Sequence, residues 1–353
     1  MKILAIDTAC DETSVAVTEN TTVLSNIVWS QASLHSRWGG IVPSLAQREH
    51  TKRIDWVINK ALLVSRCQIE DLDAIAVTIG PCLAIAGEVG IKRAKELAIK
   101  HKKNLIAINH IEGHLLSPLL MPKKTKSKVH IQFPSFGLVI SGGHTDLIFV
   151  EKIGKYKLIA RTRDDALGEA LDKAARMLGL GYPGGAILEK FARDGSRNYY
   201  PLPIPMLGRE KEMVFSYSGL KTAMWKLVEK EKTKNHGSLS KSQVQNLAAS
   251  FQDKAFEHLT RVTSYAIRNN LCNAKYLLVG GGVSANNEVR KRLRKLTKTS
   301  GMKVFFPYNK RLCGDNAAMI AIAGYYKSQR KEFVKNIKTI ERIPRLSIDQ
   351  TKP

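Results

Sequence analysis

A strand, turn and strand unit occurs twice in this sequence, and the duplication limits the possible folds more than composition does. Residues 3–17 read ILAIDTACDETSVAV and residues 138–150 read LVISGGHTDLIFV, so each copy is an apolar strand, a short polar turn and a second apolar strand. A further strand is predicted after each copy, at 23–28 and at 156–162. A repeat of this kind indicates one architecture used twice along the chain.

The spacing of apolar residues predicts a similar order of elements after each meander. In the first half we expect helices at 43–66, 83–102 and 110–120, and strands at 74–79 and 104–109. In the second half we expect helices near 167–179, 241–269 and 285–298, strands at 275–280 and 303–306, and a last helix from 315. Residues 121–134 are rich in Lys, Pro, Ser and Thr, which predicts a solvated connection. The predicted division is an N-terminal lobe at 1–125, a C-terminal lobe at 130–315, and a C-terminal helix at about 316–345 that joins the first lobe.

Two hairpins that face one cleft resemble the fold shared by actin, heat-shock chaperone ATPases and sugar kinases, the ASKHA fold. A chain of 353 residues with 44% apolar content is long enough for two such lobes. We therefore expect an α/β protein with duplicated βββαβαβα lobes and a central cleft.

Positive charge is the strongest signal in the composition. The chain carries 56 Lys and Arg against 31 Asp and Glu, which gives a net charge of +25. Such a surface favours polyanions and predicts a nucleic acid partner, although a lysine-rich proteome would give the same number.

Cysteine spacing and hydropathy predict a cytoplasmic protein. The five cysteines are odd in number and include no Cys-x-x-Cys pair, so neither a disulfide framework nor a cysteine zinc site is indicated. No apolar run approaches the roughly 20 residues that cross a bilayer, and the N-terminal run is too short for a secretory signal. We expect no membrane association.

Two histidines four residues apart, His110 and His114, begin a predicted helix and share one face of it. Imidazoles at this spacing chelate a metal ion in zinc peptidases, but Glu112 lies midway between them and not at the second position where those enzymes carry their general base. Asp315, at the start of the last predicted helix, is a candidate third ligand. The alternatives are two ordinary polar helix residues and a helix N-cap.

Two glycine turns follow predicted strands. Residues 141–145 (SGGHT) are a candidate phosphate cradle or a tight hairpin that needs positive φ, and residues 280–287 (GGGVSANN) would place a ribose or adenine beside Asn286, or form a strand-to-helix turn with an Asn cap. The acidic segment 164–173 precedes the turn 182–185, where carboxylates could bind sugar hydroxyls or favour a helix dipole.

These segments occur in the order of one family's motifs. They are IDTACDET at 6–13, HIEGH at 110–114, SGGHT at 141–145, LDK at 171–173, YPGG at 182–185, FSYSGLKT at 215–222, GGGVSAN at 280–286 and GDN at 314–316. From about residue 1 to 330 the chain resembles the bacterial tRNA N(6)-adenosine threonylcarbamoyltransferases, the TsaD family. It departs at Cys82 and Glu88, where the family usually has glycine and an apolar residue, and at Ala186 and Glu189, where Pro and Asp are common.

The resemblance implies an enzyme that transfers the threonylcarbamoyl group of threonylcarbamoyl-AMP to the N6 amine of adenosine 37, in tRNAs that read codons beginning with A. It implies one iron(II) or zinc ion per subunit, held by His110, His114 and Asp315. It places Asp11 and Glu12 among residues needed for activity, with a hypothesised role in proton removal. The implied adenylate-binding positions are Val139, Ile140, Ser141, Gly142, Gly143, Asp172, Gly185, Glu189 and Asn286.

Other interpretations remain open from sequence. A kinase of the same fold would use Mg²⁺, which prefers oxygen ligands to imidazoles. A metallopeptidase would need a general base that Glu112 is not placed to provide, and a non-catalytic RNA-binding or chaperone-like protein is a third possibility. The resemblance also implies tRNA, a paralogous partner of the same fold (TsaB-like) and a small P-loop ATPase (TsaE-like) as partners.

Overall fold

The structure is a computed structural model that describes residues 1–123, 125, 131–269 and 274–350. Cys272 and the lysine-rich stretch 126–130 of the predicted connection lie outside the described residues, so the lobe boundary there stays a prediction. The strands are β1 Lys2–Asp7, β2 Glu12–Glu19, β3 Thr22–Ser30, β4 Ala74–Gly80, β5 Asn104–Asn109, β6 Ser135–Ile140, β7 Thr145–Lys152, β8 Lys155–Thr162, β9 Val214–Phe215, β10 Tyr276–Gly280 and β11 Lys303–Phe305. The helices are α1 Ala32–His35, α2 Pro43–Ser65, α3 Ala84–Lys100, α4 His110–Leu116, α5 Leu167–Met177, α6 Gly185–Arg193, α7 Ser218–Lys234, α8 Lys241–Asn269, α9 Asn287–Thr299 and α10 Ala317–Gln329.

The strands form two sheets that share a five-stranded topology, and the second sheet has one further strand. The order is β3-β2-β1-β4-β5 in the first sheet and β11-β10-β6-β7-β8-β9 in the second. In each sheet the meander is antiparallel and two later strands add in parallel on the side of its first strand, β4 and β5 beside β1 and β10 and β11 beside β6. The additional strand β9 pairs in parallel with β8 at the opposite edge of the second sheet. The predicted duplication of an ASKHA-type α/β lobe is confirmed.

Helices α4 and α10 form a central layer between the two sheets. One apolar core joins their side chains to Ile3 and Ile106 of the first sheet and to Val139 and Leu278 of the second. Because strands buried on both faces need apolar residues at successive positions, β1 and β6 are continuous hydrophobic runs and do not alternate. The candidate site lies at the end of this central layer where α4 and α10 begin.

The last helix is shorter than expected. α10 ends at Gln329, so the predicted helix at about 316–345 is wrong beyond that point, and Lys331 takes φ of 58° there. Residues 331–350 instead cross the first lobe, where the Ile343 N–H donates to the Ile79 carbonyl at 2.7 Å.

This C-terminal tail contacts the segment in which the chain departs from its family. Arg342 pairs with Glu88 at 3.1 Å, and the Cys82 N–H donates to the Pro344 carbonyl at 3.4 Å. A Cβ at Gly80 would lie 1.9 Å from the Ile343 carbonyl oxygen, so the tail can approach only a glycine there. Both unusual residues therefore contact the tail of the same chain, Cys82 through its backbone and Glu88 through a solvent-exposed ion pair.

Helices α6 and α7 were not predicted. α7 buries Leu220, Met224 and Val228, an i, i+4, i+8 stripe that was present in the sequence. Within the described residues, no helix is both long and apolar enough to cross a membrane.

Candidate active site

Helix α4 begins at the end of β5 because Asn109 caps it. The Asn109 Oδ1 accepts from the Ile111 N–H at 2.8 Å and the Glu112 N–H at 3.3 Å, and its Nδ2 donates to the Ser347 carbonyl of the tail at 3.2 Å. The imidazoles of His110 and His114 consequently lie on the same face, with ring centroids 4.8 Å apart.

Asp315 faces these two imidazoles. The cap of α10 is Asn316, whose Oδ1 accepts from the Ala318 and Met319 amides at 3.1 and 3.3 Å, so Asp315 is not the N-cap. Its carboxylate lies 3.0 Å from His114 Nε2 and 3.5 Å from His110 Nε2. Two residues 201 positions apart are thereby joined by the central layer.

The triad His110, His114 and Asp315 fits a divalent metal ion. Its potential ligand atoms lie within 4.8 Å of one another. Bonds of about 2.0–2.2 Å at tetrahedral angles separate donor atoms by about 3.4 Å, close to the distances observed. Two imidazoles and one carboxylate suit iron or zinc and leave positions for substrate.

The ionisable groups of the triad strongly shift one another's pKa values. Burial alone would raise the pKa of Asp315, but the adjacent His110 and His114 hold that pKa well below its usual value. Burial alone would lower the pKa of His110, and Asp315 together with Asp7 raises it instead. The cluster therefore favours a carboxylate opposite positive charge, as a bound cation would supply.

Asp7 is a site residue that sequence reasoning missed. Its Oδ2 lies 3.6 Å from His110 Nδ1, the ring nitrogen on the far side from Asp315. That separation is beyond hydrogen-bond distance, and His110 Nδ1 is buried without a hydrogen-bond partner among the described residues. Asp7 therefore acts on the ring through its charge, from the side where carboxylates orient ligand imidazoles in metal sites. Its location at the end of β1, beside the acidic turn, was the available signal.

Asp11 and Glu12 begin the return strand of the first hairpin, near the triad. Burial raises the pKa of Asp11, and burial, Asp11 and Asp315 raise the pKa of Glu12 well above its usual value. Two adjacent buried carboxyls resist ionising together, so both are more basic than ordinary carboxylates. A more basic carboxylate is better suited to accept a proton.

A buried polar network that no sequence pattern indicated positions the acidic turn. His50 Nε2 lies 3.0 Å from the Cys10 carbonyl and must donate to it, so His50 Nδ1 accepts from the Thr13 hydroxyl at 2.8 Å. The Gln31 N–H donates to the Asp11 carbonyl at 3.0 Å. Burial lowers the pKa of His50, in keeping with the neutral ring that this pattern needs.

The turn at 141–143 faces open space. A Cβ on Gly142 or Gly143 would meet nothing within 4 Å, and neither residue has positive φ, so the hairpin itself does not require glycine there. Gly168 of α5 packs directly beneath, where a Cβ would lie 2.5 Å from the Ser141 carbonyl oxygen. Val139 and Ile140 are buried in β6 and can offer only backbone to a ligand.

The second glycine turn is shaped mainly by protein contacts. Gly281 has φ of 89°, and its Cβ would lie 2.3 Å from the Ile140 carbonyl oxygen. A Cβ on Gly280 would lie 1.9 Å from the His114 carbonyl oxygen. These two glycines allow β10 to pack against the first glycine turn and against α4, whereas a Cβ on Gly282 would make only an ordinary contact, 3.9 Å from the Gly314 Cα.

The remaining adenylate-binding candidates, Asp172, Gly185, Glu189 and Asn286, lie on the C-terminal lobe, and we call this set the belt. Asp172 Oδ1 accepts from the Gly184 and Gly185 amides at 2.9 and 2.7 Å. Glu189 Oε1 accepts from the Asn287 N–H at 3.0 Å. Asn286 caps α9 and its Nδ2 donates to Gln252 at 3.1 Å, so the cap interpretation holds for its side chain.

A cavity of about 300 Å³ lies between α6, α8 and α9 at the end of this belt. Glu189, Gln252, Asn287 and Arg292 are among its lining residues. Glu189 and Asn287 both line this cavity, whose volume suits a small ligand. Glu189 and Asn286 are therefore near each other, and both lie outside the triad.

Tyr182 lies between the belt and the acidic turn. Burial raises its pKa, with further contributions from Asp11, then Asp172 and Glu12. Its ring is therefore close to candidates from both lobes, although the sequence motif had pointed only to the neighbouring glycines.

The acidic pair 164–165 has a structural role. Asp164 accepts from the Tyr217 N–H at 2.8 Å and the Ser218 hydroxyl at 2.9 Å, which caps α7. Asp165 pairs with Lys173 at 2.6 Å and Lys221 at 2.5 Å. Both carboxylates are occupied by these contacts and do not bind a sugar. Of the two interpretations, sugar binding and helix stabilisation, the second is correct for this pair.

Two solved structures share the fold at low sequence identity. HypF from T. kodakarensis gives a TM-score of 0.59 with 14% identity, over 93% of this chain and 48% of that chain. The activator of the 2-hydroxyisocaproyl-CoA dehydratase from Clostridium difficile gives 0.52 with 13% identity, over 95% and 99%. At such identities the likeness establishes the architecture alone.

Sequence comparison is more specific. The family described as "TsaD: tRNA N6-adenosine threonylcarbamoyltransferase" matches residues 22–322. A protein of that name from Thermodesulfovibrio yellowstonii is 44% identical over 332 residues, 94% of this chain and 96% of its own. Another from Thermosipho africanus is 39% identical over 348 residues, 99% of this chain and 100% of its own. The chain belongs to the tRNA N6-adenosine threonylcarbamoyltransferase family and is a transferase that acts in tRNA modification.

Proposed function

We propose that the enzyme transfers the threonylcarbamoyl group from threonylcarbamoyl-AMP to the N6 amine of adenosine 37, in tRNAs that read codons beginning with A, with release of AMP. The observation that carries the proposal is the convergence of His110, His114 and Asp315, whose potential ligand atoms lie within 4.8 Å of one another. Their charges act on residues of both hairpin turns: after burial and Asp11, Asp315 raises the pKa of Glu12, and after burial, His110 and His114 lower the pKa of His144 beside the glycine turn. We assign the first turn the role of proton acceptor and the second that of anion cradle.

The reaction forms one bond and breaks one. The N6 amine attacks the carbamoyl carbon of the donor, the bond from that carbon to the phosphate oxygen breaks, and AMP leaves with the electron pair. Iron(II) or zinc bound by the triad would supply a Lewis acid for the donor oxygens. The chain's own groups must bind the donor, orient the amine and remove its proton.

Asp11 and Glu12 are the proposed proton acceptors. Their raised pKa values bring them nearer to neutral pH, where an acid–base group works best. The neutral His50 holds the Cys10 carbonyl beside them and so fixes the turn.

The glycine turn and belt are the proposed adenylate site. The backbone of Gly142 and Gly143 has open space above it, where N–H groups would suit the phosphate and carbamoyl oxygens. The Ser141 N–H already donates to the His144 carbonyl at 2.8 Å, and Val139 and Ile140 lie in the paired strand β6, so these three residues would shape the turn beside the donor. Farther along the belt are Asp172, Gly185, Glu189 and Asn286, which would hold the nucleoside directly or through the loops that they fix.

The two alternative enzymes fit less well. A kinase would hold Mg²⁺, and two imidazoles are poor Mg²⁺ ligands. A peptidase would need Glu112 as its base, but the Glu112 carboxylate accepts from the Tyr156 hydroxyl at 2.8 Å and lies 3.8 Å from Arg330. That carboxylate belongs to a buried ion pair beyond the triad.

We also propose that the enzyme works with a TsaB-like paralogue and a TsaE-like P-loop ATPase. The outer helices of the N-terminal lobe leave Trp56 and Leu63 of α2 and Ile99 of α3 largely exposed. Apolar side chains on neighbouring helices suit a protein partner. Charged substitutions at Trp56 and Leu63 should abolish co-purification of the paralogue, and unchanged co-purification would exclude this surface.

The decisive experiment supplies the donor directly. The purified protein, with its partners and added iron(II) or zinc, is incubated with threonylcarbamoyl-AMP and unmodified tRNA, and the nucleosides are analysed by mass spectrometry. We expect threonylcarbamoyl-adenosine at position 37 and one AMP per modified nucleoside. Donor consumption without a modified nucleoside, or modification at another position, would contradict the proposal.

A further inference from the structure

A second concave surface lies outside the chemistry described above. It is a groove of about 490 Å³ between α5 and α7, lined by Lys173, Arg176, Lys221, Trp225, Glu229 and Lys232 among others. We call it the α5–α7 groove. Its walls combine long cations with one large aromatic side chain, and none of these residues takes part in the proposed transfer.

Positive charge predominates in the α5–α7 groove. Lys173 and Lys221 are compensated by Asp165, and Lys232 lies 3.2 Å from Glu229. Arg176 is exposed and makes no ion pair with any part of the chain that the structure describes. The outer side of α7 adds exposed lysines, of which Lys226 and Lys230 make no ion pair within the described residues, whereas Lys234 lies 2.9 Å from Glu231. Arg176 can therefore bind an anion without first breaking an internal pair, and Lys232 would exchange only a solvent-exposed pair with Glu229, which contributes little stability.

Trp225 gives the groove a stacking surface. Its side chain is 52% exposed between these cations, beside the apolar Met177 and Val228 of the groove wall. A half-exposed indole bordered by lysines suits a nucleobase, which stacks on the ring while its phosphates meet the ammonium groups. An acidic peptide would use the charges but would have less use for a flat aromatic face.

Helix α5 connects this groove to the proposed adenylate site. Asp172 on α5 accepts from the Gly184 and Gly185 amides, and the next residue, Lys173, already lines the groove. One turn on, the Arg176 guanidinium packs at Gly39 of the other lobe, next to Trp38, which is 68% exposed. The groove thus opens at the mouth of the cleft that an acceptor adenosine must enter.

We propose that the α5–α7 groove binds the nucleotides that flank the acceptor adenosine, with a base on Trp225 and backbone phosphates on Arg176 and Lys232. The inference rests on the proposed function, since it takes the acceptor to be a tRNA loop. A single-stranded loop presents unstacked bases, which is the form of RNA that aromatic side chains recognise. The overall charge of +25 would assist the encounter.

The test compares two exposed aromatic side chains, one inside the groove and one outside it. Affinity for unmodified tRNA is measured by fluorescence anisotropy at several salt concentrations, with the full-length protein and its Trp225→Ala and Tyr199→Ala variants. Tyr199 is 62% exposed, does not line the groove and serves as the control. We expect Trp225→Ala to weaken tRNA binding about 5- to 150-fold and Tyr199→Ala to leave it unchanged.

A second pair of variants tests the phosphate contact. Arg176→Ala should lower the slope of log affinity against log salt by roughly 0.7–0.9, and Arg48→Ala, an exposed arginine of α2, should not change it. Thermal melting checks that each variant is folded. Equal tRNA affinity for wild type and Trp225→Ala, or no tRNA binding by the wild type, would overturn the inference.

The outcome is separable from that of the proposed function. If the groove variants lose tRNA affinity while the wild type makes no modified nucleoside, the groove assignment stands and the transfer proposal fails. If the wild type transfers and Trp225→Ala shows an unchanged KM for tRNA, the groove assignment fails and the transfer proposal stands.

Discussion

The two hairpin turns that face the cleft have the same place in the topology and opposite chemistry. In the N-terminal lobe the turn carries Asp11 and Glu12, and the buried His50 holds it from behind. In the C-terminal lobe the turn is Ser141 to Gly143, uncharged and open above its glycines. The two lobes thus share one hairpin geometry, and its turn is acidic in one copy and uncharged in the other, which is the basis for the proposed roles of proton acceptor and anion cradle.

The triad joins the two lobes, and its loss should have the largest effect. His114→Ala removes one imidazole, so we expect loss of bound metal and a decrease in transfer of roughly 10³-fold, because a Lewis acid contributes several kcal/mol. Metal content by mass spectrometry and single-turnover transfer measure the two effects. Glu112→Gln, which keeps a hydrogen-bond acceptor for the Tyr156 hydroxyl, should retain metal and transfer. Inactivity of Glu112→Gln with metal still bound would point back to a peptidase-like base.

The acidic turn should act on turnover and not on donor binding. Asp11→Asn removes the proposed proton acceptor with little change in shape, so kcat should fall by roughly 10²–10⁴-fold while the affinity for the donor stays close to that of the wild type. Rapid-quench measurements with saturating threonylcarbamoyl-AMP report kcat. Normal transfer by Asp11→Asn would move the role to Glu12 or remove it from this turn.

Two alanine substitutions distinguish the glycine turn that stabilises the fold from the glycine turn proposed to bind the donor. Gly281→Ala should destabilise the fold by about 3 kcal/mol or more, because its Cβ would overlap the Ile140 carbonyl and its φ is positive. Gly142→Ala has open space and should leave stability within about 1 kcal/mol. Its methyl group would instead occupy the donor's place and weaken donor binding about tenfold or more. Denaturant unfolding and donor titration measure the two outcomes, and wild-type donor affinity in Gly142→Ala would remove this turn from the binding site.

The sequence alone predicted those features that depend on local residue patterns. The repeat at 3–17 and 138–150 predicted both sheets, and the spacing of His110 and His114 predicted a shared helix face. Local patterns also located β5 at 104–109 and α8 at 241–269 with the bounds observed.

The features that sequence missed depend on contacts between distant residues. Asp7 lies close to His110 because β1 ends where α4 begins, and the tail reaches Asn109 from a position 238 residues away. The role of Asp164 stayed open from sequence because its partners, Ser216 to Ser218, lie at the start of the unpredicted helix α7. For α7 a usable signal was present, the stripe of Leu220, Met224 and Val228.

Each lobe also uses a buried neutral histidine to hold a loop, with opposite tautomers. His50 donates from Nε2 to the Cys10 carbonyl, whereas His258 Nε2 accepts from the Ser216 N–H at 3.1 Å and must carry its proton on Nδ1. Burial lowers the pKa of His258 to about 4. Protonation would break the bond to Ser216, so the folded protein resists it.

The sign of the resulting pH dependence follows from proton binding. Between pH ~6.5, where an unfolded histidine titrates, and pH ~4, the unfolded chain binds the proton that folded His258 excludes, so stability falls as pH falls. The slope from one proton is about 1.4 kcal/mol per pH unit, or about 3 kcal/mol by pH 4. In His258→Gln the side chain can still accept from the Ser216 N–H but cannot titrate, so the slope of its free energy of unfolding against pH should be smaller by the contribution of one proton. His236→Gln, at an exposed position, is the control and should follow the wild type. Parallel curves for wild type and His258→Gln in denaturant titrations would show that the imidazole is protonated in the folded lobe, and that only the first hairpin depends on a neutral histidine.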